Sequence, residues 1–267
     1  MPELPPDLKQ EAQDKLDALC DASRKAGLDF SIPEAVTGEI LGVLACSDFV
    51  ARTGQRYPEV IADLLESGDL HRRYPAGIFR DRLQASLLDG TMDFTALENR
   101  LGSVLRGRRR REMVRIAWRD LAGHAELAET VEDLSALADA CIEAALTALY
   151  QGLCRDLGTP TGPTGKPQQL VVIGMGKLGA RELNFSSDVD LIFAYPESGH
   201  TQAGPSSLTN GDFFARLCRR LVRVLGQVTA EGFVFRIDTN LRPYGEGGPL
   251  VMSFAALESY YQRQGRE

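Results

Sequence analysis

Two neighbouring segments hold residue types suited to phosphate and metal chemistry: Gly174-Met-Gly-Lys-Leu-Gly179 and, nine residues further on, Asp188-Val-Asp190. Residues 170–173 are a short apolar run rich in β-branched side chains, the glycines break it, and residues 189–194 form a second apolar run. That pattern predicts strand, turn, connector and strand. Successive side chains on a strand point to opposite faces, so Asp188 and Asp190 share one face and Val189 takes the other. Two carboxylates brought to one point repel unless a cation lies between them, and hard oxygen donors select Mg²⁺ or Mn²⁺ over zinc. A divalent metal is therefore the expected partner. The plainer reading is a turn followed by a solvated strand end, with Asp188 capping the loop, and these two segments alone leave both readings open.

Val234-Phe-Arg-Ile-Asp238 supplies a third acidic residue. Strand alternation puts Phe235 and Ile237 on one side and Val234, Arg236 and Asp238 on the other. With Asp188 and Asp190 on a neighbouring strand, Asp238 would complete a triad able to hold two metals roughly 4 Å apart, the arrangement that serves in-line displacement at phosphorus. Arg236 would offset part of the negative charge. A surface arginine and aspartate on an edge strand is the alternative. The glycine spacing also matches the dinucleotide-binding fingerprint, but that fold needs a helix straight after the glycines and an acidic residue about twenty positions on. Here the turn-like Glu182-Leu-Asn-Phe-Ser-Ser187 follows, and the acidic pair arrives too early. A P-loop fails as well, because Leu178 follows Lys177 and the four-residue spacer between glycines is missing.

The elements that must position these residues read as mostly helical before residue 157 and mixed afterwards, an α+β pattern. The clearest helix covers 131–153, with Leu134, Leu137, Ala138, Cys141, Ala145 and Leu149 at helical spacing. Met113, Ile116, Ala117 and Leu121 mark another that ends near Gly123. Residues 40–52, 57–66 and 78–88 are shorter helical candidates, together suggesting an orthogonal bundle. Residues 159–167 predict a Pro/Gly loop ahead of the first strand. Residues 197–210 read as a polar surface loop with His200 solvated in it; a mobile loop beside the site is the alternative. Residues 212–228 then predict an amphipathic helix packed behind the sheet, with Phe213, Leu217, Leu221 and Val224 inward and Arg219, Arg220 and Arg223 largely outward. The expected division is a helical bundle over 1–128 and a catalytic domain over 129–267.

At 267 residues, 43% hydrophobic and 25% charged, the chain is long enough for two domains with proper cores. Five cysteines, an odd number with no CxxC spacing, argue for reduced thiols and against a disulfide framework or a structural zinc site, and hence for the cytosol. No apolar run approaches a membrane span, and Met1-Pro-Glu-Leu-Pro-Pro lacks the basic and apolar regions of a signal peptide. The expectation is a cytoplasmic protein with no membrane partner. A net charge of −7 argues against broad electrostatic binding to nucleic acid. Arg106-Gly-Arg-Arg-Arg-Arg111 is the local exception, a basic cluster suited to an acidic partner or a phosphate; the commoner case is a solvated helix face. No aromatic residues interleave it, as single-strand nucleic-acid binding would require.

Three stretches together, Gly174-Met-Gly-Lys-Leu-Gly179, Glu182-Leu-Asn-Phe-Ser-Ser-Asp-Val-Asp-Leu-Ile-Phe193 and Arg236-Ile-Asp-Thr-Asn-Leu-Arg-Pro243, resemble the nucleotidyltransferase signature of the glutamine synthetase adenylyltransferase/deadenylylase family. The likeness extends through Gly245-Glu-Gly-Gly-Pro-Leu-Val251 and Ser253-Phe-Ala-Ala-Leu-Glu-Ser-Tyr-Tyr261, and back to Arg108-Arg-Arg-Arg-Glu-Met113, so it covers most of the chain. Members of that family carry two similar catalytic halves. Glu182-Leu-Asn184 followed by Ser186-Ser187, and Gly248-Pro-Leu250 followed by Ser253-Phe254, are similar to the amino-terminal, adenylyl-removing half. The transferase half usually reads Gly-Tyr-Gly-Lys and Glu-Leu-Gly, against Met175 and Asn184 here. The opening at Met1, the stretch Cys46-Ser-Asp-Phe-Val50 and a stop at Glu267 within the pattern fit a fragment of such a protein.

The resemblance implies a helical amino-terminal region followed by a nucleotidyltransferase-fold, polymerase-β-like domain with a mixed sheet, truncated at its carboxy-terminal side. It implies phosphorolysis: inorganic phosphate attacks AMP linked to a tyrosine of glutamine synthetase, giving ADP and the free tyrosine in the control of nitrogen assimilation. Asp188, Asp190 and Asp238 would be catalytic and would hold Mg²⁺, or Mn²⁺. The backbone of Gly174 to Gly176 would cradle phosphate, with Lys177 or Arg242 as charge clamps. Phosphate and ADP or ATP are the implied substrates and products, and glutamine synthetase and a PII signal protein the implied partners. ATP-dependent adenylylation and a non-catalytic docking module stay open as alternatives. Ala180 stands where a second glycine is common and would tighten the turn; Asn240 stands where arginine is frequent and would alter contacts to phosphate or protein. Neither removes a carboxylate, and Glu182 stays outside the catalytic set.

Overall fold

Helices dominate the first 157 residues of the computed structural model, which describes residues 4–28, 32–87 and 94–264. They are α1 (Pro6–Lys25), α2 (Glu34–Cys46), α3 (Asp48–Arg56), α4 (Pro58–Ser67), α5 (Ile78–Leu87), α6 (Phe94–Leu121) and α7 (Leu127–Leu157). Residue 88, the last of the expected 78–88 helix, lies outside the described residues. The chain forms two compact units, one of Met1–Ile78 with Gly107–Leu134 and the other of Phe79–Arg106 with Ser135–Glu267. These units do not follow the expected 128/129 division: they part inside α6 and α7, and Phe79–Arg106 groups with the sheet-bearing residues.

In the first unit, α1 was not anticipated from the sequence, although Pro6 in its first turn and buried Ala12, Leu16 and Leu19 at helical spacing give it a start and an inner face. The single helix expected over 40–52 is two, because Ser47 is extended (φ −140°, ψ 100°) and its hydroxyl accepts the Val50 N–H at 3.2 Å, capping α3. α4 starts at Pro58 and stops at Gly68 in the left-handed region (φ 67°). Ile40, Val43, Leu44, Ile61, Leu64 and Trp118 form its buried core; each such aliphatic side chain contributes about 1.5–3 kcal/mol.

The basic run is not a fully solvated face: Arg111 is buried and residues 106–110 are half-buried. α6 begins at Phe94, so the run lies inside a helix, and Arg111, Arg115 and Arg119 recur every fourth residue on its buried side. Arg111 bonds Asp63 at 2.5 Å, Asp69 at 2.7 Å and Glu112 at 2.9 Å. Arg115 pairs with Asp133 at 2.9 Å and stacks 3.3 Å over the Tyr74 ring, and Arg119 pairs with Glu129 at 2.7 Å. Burial, joined by the Glu112 charge, pushes the Tyr74 phenol up to about 12. Arg110 lies 3.5 Å over the Tyr57 ring.

The second unit is built on a mixed four-stranded sheet around β3 (Val189–Tyr195). β2 (Val171–Gly174) runs antiparallel to it, pairing Gly174 with Leu191. Two parallel strands also pair with β3: β5 (Ile237–Asp238) with its first residues and β6 (Val251–Ser253) with its last. The 159–167 loop and the 197–210 loop were expected to be strandless; instead β1 (Thr159–Thr161) and β4 (His200–Gln202) pair antiparallel, with His200 exposed on β4. Between β2 and β3 lies one helical turn, α8 (Gly176–Gly179). α9 (Asn210–Gly226), capped by Thr209, packs Phe213, Leu217, Leu221 and Val224 inward against β1, β4, β5 and β6, as the periodicity predicts. α10 (Phe254–Gln264) follows β6. All five cysteines are free thiols, and among the described residues no helix is long and apolar enough to cross a membrane.

Candidate active site

The sheet register brings Asp190 and Asp238 directly opposite each other on parallel β3 and β5. Opposed residues of adjacent strands project to the same face, so these two carboxylates share it. Asp188 precedes β3, is exposed, and is held by Arg236, whose Nε donates to its Oδ1 while Nη2 donates to the Ser186 carbonyl. Arg236 therefore supplies a counter-charge, and supplies it to Asp188. β5 is shorter than expected: Val234 and Phe235 are both buried, which breaks the alternation, and pairing starts only at Ile237. The backbone N–H of Asn240 donates to Asp238 Oδ1 at 2.6 Å, an Asx turn that aims this carboxylate. The Asp-x-Asn spacing was the signal for that turn.

The glycine turn lies against Asp190. The Met175 N–H donates to the Asp190 carbonyl at 2.9 Å, and Gly176 is in the left-handed region (φ 51°). A Cβ on Gly176 would stand 2.6 Å from Asp190 Oδ2, so only glycine lets turn and carboxylate abut. A Cβ on Gly179 would meet the Gly174 carbonyl at 2.6 Å. Leu178 is buried beneath the turn against Gly174, and Lys177 is exposed. Ala180 has ordinary helical backbone (φ −81°, ψ −4°) and is exposed, so it does not tighten the turn. Arg242 is engaged with its own loop: Nη1 donates to the Thr239 carbonyl at 2.8 Å and Nη2 to the Glu246 carbonyl at 3.1 Å.

Electrostatically the site is a concentration of like charge. Burial, and then the charges of Asp238 and Asp188, raise the Asp190 carboxyl above its ordinary range. An all-oxygen donor set with surplus negative charge fits a hard divalent cation such as Mg²⁺ or Mn²⁺. The triad is not drawn to one point: among the described residues, the group of three ligand-bearing side chains whose donor atoms all lie within 4.8 Å of one another is Glu39, His71 and His124, not the three aspartates. Asp190 and Asp238 are brought together; Asp188 stands on Arg236.

The family described as glutamate-ammonia ligase adenylyltransferase matches residues 37–267. A bifunctional glutamine synthetase adenylyltransferase/adenylyl-removing enzyme of Pseudomonas aeruginosa is 50% identical over 251 residues, covering 94% of this chain and 25% of the relative. Proteins of the same description from Nitrosococcus oceani (48% over 265 residues; 99% and 27%) and Pseudomonas putida (51% over 226 residues; 84% and 23%) are similar to the same extent. The chain spans about a quarter of the length of these curated relatives. With a helical region leading into a mixed-sheet, nucleotidyltransferase-like α+β unit, the chain belongs to the glutamate-ammonia ligase adenylyltransferase family.

Proposed function

We propose that this chain carries the unit that removes AMP from the adenylylated tyrosine of glutamine synthetase by phosphorolysis, in the cytoplasm and under the control of nitrogen status. The observation behind this reading is the abutment of Asp190 on the Gly176 turn, with Asp238 opposite it in register. Relatives named for adenylylation and adenylyl removal supply the substrate, and the likeness of Glu182-Leu-Asn184 and Gly248-Pro-Leu250 to the adenylyl-removing half supplies the direction.

An oxygen of inorganic phosphate attacks the phosphorus of the tyrosyl adenylate. The new P–O bond makes ADP, the bond to the tyrosine oxygen breaks, and the phenolate, with a pKa of about 10, takes a proton from solvent. No protein nucleophile is required. Asp190 and Asp238, joined by Asp188 from its Arg236 pairing, are the residues that would hold Mg²⁺ or Mn²⁺, which neutralises phosphoryl oxygens and stabilises the leaving phenolate when bound. Met175 N–H is engaged by the Asp190 carbonyl, so the first amides of α8, on Gly176 and Lys177, are the groups that would orient the incoming anion. The exposed Lys177 ammonium is the charge clamp, while Arg242 acts by fixing the segment that follows Asp238.

The test mixes the purified chain with adenylylated glutamine synthetase, Mg²⁺ and phosphate, and follows ADP release and loss of AMP mass. Phosphate-dependent ADP that disappears in Asp190→Asn supports the proposal. The relatives' names also cover the opposite reaction, so the same chain is given ATP and unmodified synthetase; AMP gained there would replace phosphorolysis by adenylylation. A folded chain inactive in both assays would favour a docking role.

A further inference from the structure

Two of the three histidines in the sequence meet at one carboxylate in the helical unit. His71 closes the 3₁₀ turn Asp69–His71, and His124 lies in the turn after α6. Each aims Nε2 at Oε2 of Glu39 on α2, at 3.3 and 2.8 Å. The ring centroids are 4.7 Å apart with planes at 69°, and the three donor atoms lie within 4.8 Å of one another. The histidines stand 32 and 85 residues from Glu39, so the tertiary fold assembles the group. Its surroundings are built as well. Oε1 of Glu39 accepts the indole N–H of the fully buried Trp118, which fixes the carboxylate and leaves Oε2 to the imidazoles. Arg119 donates to the His124 carbonyl at 3.0 Å while paired with Glu129 at 2.7 Å, so it anchors the turn with its own charge offset. Hydrogen bonds of this kind orient metal ligands.

We propose that Glu39, His71 and His124 form a binding site for a divalent transition metal of the Zn²⁺ type, with solvent as the remaining ligand, tying α2 to the turns after α4 and α6. Two imidazoles and a carboxylate suit borderline metals and disfavour Mg²⁺ and Ca²⁺. Metal–ligand bonds of about 2.0–2.1 Å at tetrahedral angles put neighbouring donor atoms roughly 3.3 Å apart. The His71 separation already matches this, and the His124 pair would open by about half an ångström. His71 is 47% and His124 30% exposed, which gives an ion a way in. The metal-free cluster is satisfied by N–H···O bonds, so an ion replaces shared protons and releases them. Cysteine spacing, which argued against structural zinc, says nothing of this histidine and glutamate site.

The test titrates the chelator-stripped full chain, in excess Mg²⁺, with ZnCl₂ by calorimetry and with CoCl₂ by visible absorption. One ion per chain is expected. Affinity should fall by more than about 10-fold in His71→Ala and in His124→Ala, and by about 10-fold in Trp118→Phe, which keeps all three ligands. His200→Ala, which removes the histidine exposed on β4, should leave it unchanged. Circular dichroism checks that each variant is folded; if an alanine variant is not, zinc-edge X-ray absorption of the loaded wild-type chain decides, two imidazoles on the metal supporting the site and none overturning it. No binding by the wild type, or equal binding by the folded histidine variants, overturns it too.

Discussion

Arg111 and Asp190 are both ionisable groups withdrawn from full solvent, and the chain treats them in opposite ways. Arg111, 10% exposed, is met by Asp63, Asp69 and Glu112; Arg115 and Arg119, four and eight residues on, are met by Asp133 and Glu129. Asp190 faces Asp238 in register and feels Asp188 as a further like charge, while Arg236 is committed to Asp188. In the helical unit buried charge is answered and specifies which helices pack together. Around β3 the half-buried Asp190 faces like charge, a cost to the fold that a cation can offset. The same letters in a sequence therefore serve structure or chemistry according to what tertiary contacts place beside them.

The largest effect that would break this comparison is on turnover. Asp190→Asn and Asp238→Asn should each reduce phosphate-dependent ADP release by at least about 10³-fold, the several kcal/mol a metal clamp contributes, with capture of glutamine synthetase unchanged. Full activity in the double variant would remove the aspartates from the chemistry. Next in size is the arginine network. Arg111→Ala strips one partner from a buried cluster and should cost about 3–5 kcal/mol in urea unfolding. Arg236→Ala, which loses a pair whose members are 55% and 53% exposed, should cost less than about 1 kcal/mol. Equal costs would mean that burial does not divide the two regions.

A smaller effect sharpens the geometry of the turn. Gly176→Ala forces a left-handed alanine, worth about 1–2 kcal/mol, and also drives a methyl into Asp190 Oδ2. Gly165→Ala bears the same backbone cost (φ 75°) with nothing within 4 Å of the new Cβ. Gly176→Ala should lose at least as much stability as Gly165→Ala in thermal melts, and only Gly176→Ala should also lose turnover. If the two behave alike in both assays, the turn does not hold Asp190.

How much of this was legible in advance follows from the range of the interactions. The strand at 189–195 is a local pattern of period two and carries Asp190, whereas Asp188 precedes β3 and Arg236 precedes β5, outside the alternation expected to place them. Asp238 opposite Asp190 needed only a neighbouring strand. The arginine run was misjudged because its partners Asp63 and Asp69 are 48 and 42 residues away, and spacing alone cannot reveal them. The Glu39, His71 and His124 group was invisible for the same reason. β1 and β4 were missed because a Pro/Gly segment and a polar segment pair with each other, a tertiary preference that overrides weak strand propensity. The break at Ser47 was readable: a serine followed by aspartate is a helix start signal inside an otherwise continuous apolar period.

The smallest predicted effect bears most directly on whether Asp190 is held against the fold. Burial and the charges of Asp238 and Asp188 raise its folded-state pKa above the unfolded value, so between the two values the native state binds more protons. That protonation stabilises the fold at low pH, and the contribution is lost as pH rises through the folded value. At neutral pH the ionised carboxylate works against folding. Asp190→Asn, which keeps the shape and removes the charge, should therefore melt higher than wild type at neutral pH, with the gap closing as the pH is lowered through the carboxylate range. Mg²⁺ should raise the wild-type midpoint more than that of the variant. A variant that melts lower than wild type at neutral pH would mean that Asp190 is stabilised by its neighbours after all, and the contrast with Arg111 would disappear.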